Sequence, residues 1–120
     1  MTSEIDVEAG TLTQEWITVY HGSINNATEI RAYGLNVSRL PTWLTRDLAA
    51  AQNAIDPRVR ADHLLNPAVI EARIPKEDFE FVLAPNERSY SGFNRLLTGS
   101  SEIVIRNEAQ ATLFNQYIIR

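Results

Sequence analysis

Two residues of this chain could act on a sugar: His21, at the end of an apolar run, and Glu102, at the start of another. A histidine can hold a sugar hydroxyl by a hydrogen bond. A carboxylate can stabilise the positive charge that develops on a sugar ring when its glycosidic bond breaks. The two residue types therefore predict chemistry at a glycosidic bond.

Short motifs surround both residues, and a third motif lies between them. His21 is followed by Gly22, which would let a ligand approach the backbone closely, and by Ser23, which adds a hydroxyl. The segment 42–47, TWLTRD, reads as an aromatic strand end and precedes an alanine-rich stretch. The segment 101–110, SEIVIRNEAQ, reads as a strand followed by a turn. The three motifs lie on three separate predicted strands.

In their order and spacing, these motifs resemble the ADP-ribosyltransferase family, over residues 17–119. The resemblance is to the His-Tyr-Glu type, with diphtheria-toxin-like and poly(ADP-ribose) polymerase-like catalytic cores. It implies that NAD is the substrate and that His21 and Glu102 are the catalytic residues. Glu102 would bind the 2′-hydroxyl of the nicotinamide ribose and stabilise the charge that forms as nicotinamide leaves. The resemblance assigns cofactor binding to His21, Gly22, Ser23, Trp43 and Thr45.

The chain departs from the family pattern at two places. The helix after the second motif reads Gln52-Asn53-Ala54, without the second stacking aromatic, which leaves Trp43 to stack on nicotinamide. Ser100 stands where arginine-specific members carry Glu, so the acceptor is open. In this family the loop before the catalytic Glu, here 87–100, recognises the acceptor. Its candidate acceptor-binding residues are Tyr90, Phe93 and Asn94.

The resemblance predicts a mono-ADP-ribosyltransferase that modifies a macromolecule, protein or RNA, as a bacterial toxin or effector domain. A cognate immunity protein is then an expected partner. Three alternatives stay open: an NAD glycohydrolase, an RNA 2′-phosphotransferase on the same fold, and a catalytically silent module that binds NAD or ADP-ribose. The phosphotransferase depends on more Arg and His residues than His21 alone suggests.

Composition excludes several other classes of function. The 120 residues contain no cysteine, so a disulfide, a thiolate zinc site and a Cys nucleophile are excluded. The two histidines lack metal-ligand spacing, and no metal is expected. The net charge of −4 arises from acidic residues within 1–15, so the rest of the chain offers no large basic face to duplex nucleic acid.

We expect action in the cytoplasm, since no signal peptide or membrane-spanning run is present, and delivery within a larger secreted protein is compatible with this.

The elements that would position these residues predict an α+β fold, a compact ADP-ribosyltransferase-like split β-sheet core with short flanking helices. Residues 1–13 are acidic and aperiodic and predict a loosely ordered lead-in to a single domain, 14–120. Strands are predicted at 17–20, 42–45, 68–74, 79–83, 102–106 and 117–119. A helix is predicted through Ile30, with Asn25 or Asn26 as its N-cap and Gly34 in a left-handed conformation at its end. A second helix is predicted from Asp47 to Asp56, with Leu48, Ala51 and Ile55 on its inner face. Ile103 and Ile105 are expected to face the core, which turns Glu102 the other way.

Overall fold

The first sheet is a pair of antiparallel strands, β1 (Trp16–Ser23) and β3 (Ala68–Pro75). The computed structural model describes residues 14–23, 25–52, 55, 68–89 and 101–120. Side chains alternate along both strands, so Val19 and its cross-strand partner Ala72 are fully buried. The predicted inward face of β3 is confirmed, because Ile70 and Ile74 are also fully buried.

The second sheet has three antiparallel strands in the order β2-β5-β4. Their bounds are Thr42–Leu44 for β2, Glu87–Ser89 for β4 and Ser101–Ile105 for β5. Ile103 and Ile105 are fully buried, as the alternation predicts. β4 corrects the prediction that 87–100 is entirely loop, because its three residues pair with the start of β5. The remainder of that loop, including Tyr90, Phe93 and Asn94, lies outside the described residues, as does the predicted lead-in at 1–13.

Among the described residues, a single bridge joins the two sheets. Tyr20 of β1 and Thr45, just beyond β2, exchange both backbone hydrogen bonds, with N···O distances of 2.7 and 2.9 Å. β1 and β2 are therefore neighbours at this point and separate beyond it. Read across the bridge, the strands follow one another as β3-β1-β2-β5-β4, with a split between β1 and β2.

Short helical segments surround these strands. α1 is Ala27–Tyr33, a 3₁₀ turn follows at Val37–Arg39, and α2 covers 48–52. α3, Lys76–Asp78, continues as a π-helical turn, Phe79–Leu83, and a 3₁₀ turn, Ala84–Asn86. α4 is Glu108–Gln116 and begins with a capping box between Asn107 and Gln110. The fold is thus α+β, as predicted, and none of the helices in the described ranges could cross a membrane.

The hydrophobic core lies between the inward strand faces and α1, α4 and the helical segment that begins with α3. Phe79 and Phe114 are its largest fully buried side chains. The prediction that 79–83 is a strand was wrong: the segment is helical, and Phe81 is 86% exposed. Phe79 and Leu83, four residues apart, are instead the pair that a helix turn brings to one face.

The C-terminal segment also differs from the prediction. α4 begins within the segment 107–110 that is predicted as a turn, and the predicted strand at 117–119 is a single bridge between Ile118 and Ala72. α1 ends before Gly34 as predicted, and a positive φ of 86° is confirmed there. Its ψ of 178° is extended, so the expected left-handed helical conformation was wrong.

Candidate active site

The split between β1 and β2 leaves backbone groups of β1 facing it. In an antiparallel strand, the N–H and C=O of alternate residues point to the same side. Tyr20 directs both groups at Thr45, so Gly22, two residues further along β1, directs its own N–H and C=O towards the side of β2. In the described part of the chain the two strands are bridged only at Tyr20, so these groups of Gly22 face the split.

His21 fills part of this split with its side chain. Its Nδ1 lies 2.9 Å from the carbonyl oxygen of Trp43, and the two ring centroids are 5.9 Å apart. Because a carbonyl oxygen can only accept, the neutral imidazole must carry its proton on Nδ1. Nε2 is therefore a hydrogen-bond acceptor, and the residues that the structure describes provide no partner for it.

Burial lowers the pKa of His21, and the hydrogen bond to Trp43 opposes this shift only in part. His21 is 9% exposed, so the charged imidazolium is poorly solvated in the folded protein. The imidazole is therefore neutral near pH 7 and keeps Nε2 available as an acceptor.

This shift makes folding stability depend on pH. Between the lowered folded pKa and the unfolded value of about 6.5, the unfolded chain binds more protons, so stability rises with pH in this window. We expect the free energy of unfolding to fall as pH is lowered from 8 through this window, measured by urea denaturation. In His21→Asn the corresponding slope should be smaller. Equal slopes in the two proteins would show that His21 is not the group responsible.

Gly22 has a packing requirement besides any contact with a ligand. A Cβ atom built on it would lie 2.7 Å from the carbonyl oxygen of Ala51 in α2 and 3.1 Å from Cγ2 of Ile55. Ala51 is fully buried and Ile55 is 7% exposed, so α2 packs directly on the backbone of β1. The glycine allows this close approach.

We expect Gly22→Ala to lower the free energy of unfolding by about 1–3 kcal/mol, because the methyl group meets backbone atoms that cannot rotate away. Chemical denaturation measures this loss, and Gln52→Ala, at an exposed position of α2, is the control for a surface change. A Gly22→Ala protein as stable as wild type would show that α2 can move away at little cost.

The hydroxyls of Ser23 and Thr45 have structural partners. Ser23 Oγ donates to Oδ1 of Asn26 at 2.5 Å and accepts from the N–H of Asn26 at 3.1 Å. Asn26 therefore does not cap α1 with its side chain, contrary to the prediction. Thr45 Oγ1 accepts from the N–H of Asp47 at 3.0 Å. Both residues are buried, so they shape the loops beside the split.

Trp43 and Glu102 lie on one face of the second sheet. Trp43 pairs with Val104 across β2 and β5, which makes Glu102, two residues before Val104, its diagonal neighbour on the same face. The Glu102 side chain is 19% exposed, and its Oε1 accepts from Nε of Arg88 at 2.8 Å. The described residues offer no hydrogen bond to its second carboxylate oxygen, Oε2.

Arg46 and Glu87 form an ion pair that no motif of the sequence predicts. Arg46 donates to both carboxylate oxygens of Glu87, at 2.6 and 2.9 Å, and its guanidinium lies 4.8 Å from the ring centre of Phe79. Ser101 also donates to Glu87, at 2.7 Å. The hydrogen bonds from Arg46 lower the pKa of Glu87, and its partial burial opposes this only in part. This ion pair depends on the register in which β4 pairs with β5. The sequence 87–100 shows no alternation of apolar and polar residues from which β4 could be predicted.

A cavity of about 150 Å³ lies on the other side of His21, towards α1, and Ile30 and Arg39 also line it. A larger cavity of about 440 Å³ between α1 and the 3₁₀ turn shares Asn26, Ile30 and Arg39 with it. Trp43 and Glu102 line neither cavity. His21 therefore lies between Trp43 on one side and an open groove on the other.

The structure brings together three of the predicted residues on adjacent strands: His21 beside Trp43 in direct contact, and Glu102 diagonal to Trp43. Among the described residues, His and carboxylate side chains form no group of three that could hold a metal ion. Comparison of the chain with protein-family models, curated proteins and solved structures finds no significant match.

Proposed function

We propose that this protein is an NAD-dependent mono-ADP-ribosyltransferase, with an ADP-ribosyltransferase-like split sheet as its core. One observation carries the proposal: the strands that bear the three motifs, β1, β2 and β5, are direct neighbours. Their order places three short sequence segments, each common by itself, on consecutive strands, with His21 in contact with Trp43 and Trp43 diagonal to Glu102.

The nicotinamide ring would lie at the split between β1 and β2. A carboxamide needs one acceptor for its NH₂ and one donor for its carbonyl oxygen, and the backbone C=O and N–H of Gly22 supply this pair. Trp43, which is partly exposed on the neighbouring strand, offers an aromatic surface for the ring. Gly22 would bind the carboxamide through its backbone N–H and C=O. The packing of α2 against its α-carbon therefore does not prevent this binding.

His21 would hold a ribose by accepting a hydroxyl proton at Nε2. Its Nδ1 proton is already donated to the carbonyl of Trp43, so the neutral ring cannot act as the donor to the ribose. The groove beyond His21 gives room for the remainder of the dinucleotide. In this proposal NAD would run from the split, past His21, towards α1.

Glu102 would act at the anomeric carbon of the nicotinamide ribose. Its Oε2 accepts the 2′-hydroxyl proton in a hydrogen bond, and its negative charge stabilises the oxocarbenium-like transition state. The bond from C1′ to the nicotinamide nitrogen breaks, and its electron pair leaves with nicotinamide. The acceptor nucleophile then forms a bond to C1′ and releases its proton to solvent.

The acceptor in this proposal is a macromolecule, protein or RNA, met by the chain around Tyr90, Phe93 and Asn94. A bacterial toxin or effector acting in the cytoplasm, with an immunity protein as its antagonist, fits an enzyme of this kind. Hydrolysis of NAD by water would use the same residues with water as the acceptor.

Incubation with NAD radiolabelled in its adenylate phosphate, with and without a cell lysate, tests the proposal. We expect label on a macromolecule together with release of nicotinamide. Free ADP-ribose as the sole labelled product would instead identify a glycohydrolase. Binding of NAD without cleavage would indicate a silent module, and neither binding nor cleavage would refute the proposal.

A further inference from the structure

Arg88 is the direct cross-strand partner of Glu102. The register of β4 and β5 places the two residues opposite each other on the same face of the sheet. Nε of Arg88 donates to Oε1 of Glu102 at 2.8 Å, while 63% of the Arg88 side chain remains exposed. The contact thus involves the inner part of the guanidinium and one oxygen of the carboxylate.

The strand that carries Arg88 is fixed from the opposite face of the sheet. Glu87 precedes Arg88 and points the other way, where it binds both Arg46 and the hydroxyl of Ser101. Arg46 joins this strand to the end of β2, and Ser101 joins it to the start of β5. These bonds hold β4 in the register that sets Arg88 against Glu102.

We propose that Arg88 is a positioning residue for Glu102, an inference that rests on the proposed function. A free glutamate side chain samples several rotamers, and fixing it before the substrate binds removes this entropy from the reaction barrier. The bond from Nε engages Oε1, so Oε2 stays available to a ribose hydroxyl. Arg88 itself acts only through Glu102.

Kinetics of NAD cleavage in Arg88→Gln test this role. We expect kcat to fall about tenfold with little change in KM, because the carboxylate is misplaced while the NAD contacts remain. Arg88→Lys should recover only part of kcat, and methylguanidinium should raise the rate of Arg88→Ala. The control is Arg73→Gln, which removes a comparable exposed arginine paired with Glu71 on β3. An unchanged kcat in Arg88→Gln, or no response of Arg88→Ala to methylguanidinium, would overturn the inference.

A double-mutant cycle separates this inference from the proposed function. Unfolding of wild type, Arg88→Gln, Glu102→Gln and the double variant gives the coupling between the two side chains without any substrate. We expect the coupling to change the unfolding constant about two- to fivefold, in the range of partly exposed ion pairs. Coupling in a wild-type protein that cleaves no NAD would refute the proposed function and leave the contact between Arg88 and Glu102 supported. Absence of coupling would overturn the inference whatever the activity.

Discussion

Glu102→Gln is expected to reduce NAD cleavage by about 100- to 1,000-fold while NAD affinity and folding stability change little. The amide has the shape of the carboxylate and retains an oxygen acceptor, but it loses the charge that opposes the developing oxocarbenium ion. Arg88 can still donate to the amide oxygen, so the side chain stays near its place on β5. The measurements are nicotinamide release under single-turnover conditions and calorimetric titration with NAD.

Glu71→Gln provides a matched control for this substitution. Glu71 also lies on a strand, is partly exposed and pairs with an arginine, Arg73, at 3.8 Å. Loss of the Glu71 carboxylate should leave NAD cleavage unchanged. Wild-type turnover in Glu102→Gln would remove Glu102 from the site, and equal losses in both variants would point to a general effect of charge.

His21→Ala is expected to lower the free energy of unfolding by about 2–4 kcal/mol, because it leaves a cavity in a buried position and removes the hydrogen bond to the carbonyl of Trp43. It should also weaken NAD binding, since Nε2 is lost as an acceptor for the ribose. The first effect is measured by chemical denaturation and the second by calorimetry on the folded variant.

His21→Asn separates the two effects. The asparagine amide can donate to the carbonyl of Trp43 from nearly the position of Nδ1, but it has no group at the position of Nε2. We expect most of the stability to return while NAD affinity remains low. An affinity equal to that of wild type in His21→Asn would assign the histidine to a structural role alone.

The structure also explains why some predictions of strands, helices and buried faces were correct and others were wrong. Alternation of apolar residues depends only on neighbours along a strand, so the inward faces of β3 and β5 followed from the residues themselves. The same rule failed for 79–83, because Phe79 and Leu83 suit either a strand or a helix. Leu48, predicted on the inner face of α2, is 43% exposed, and Ala50 is buried instead.

The sequence alone determined the residue types that could act on a glycosidic bond, the α+β class and the alternation that turns Glu102 away from Ile103. Only the tertiary structure decided which strands are neighbours, because the pairing of distant segments depends on contacts that no local pattern records. The bond from His21 to Trp43 and the ion pair of Arg88 with Glu102 arise from such pairings, and the close approach of α2 to Gly22 arises from the packing of a helix on a strand. Hydrogen-bond and side-chain geometry across a sheet is set by register, which residues far apart in the chain determine together.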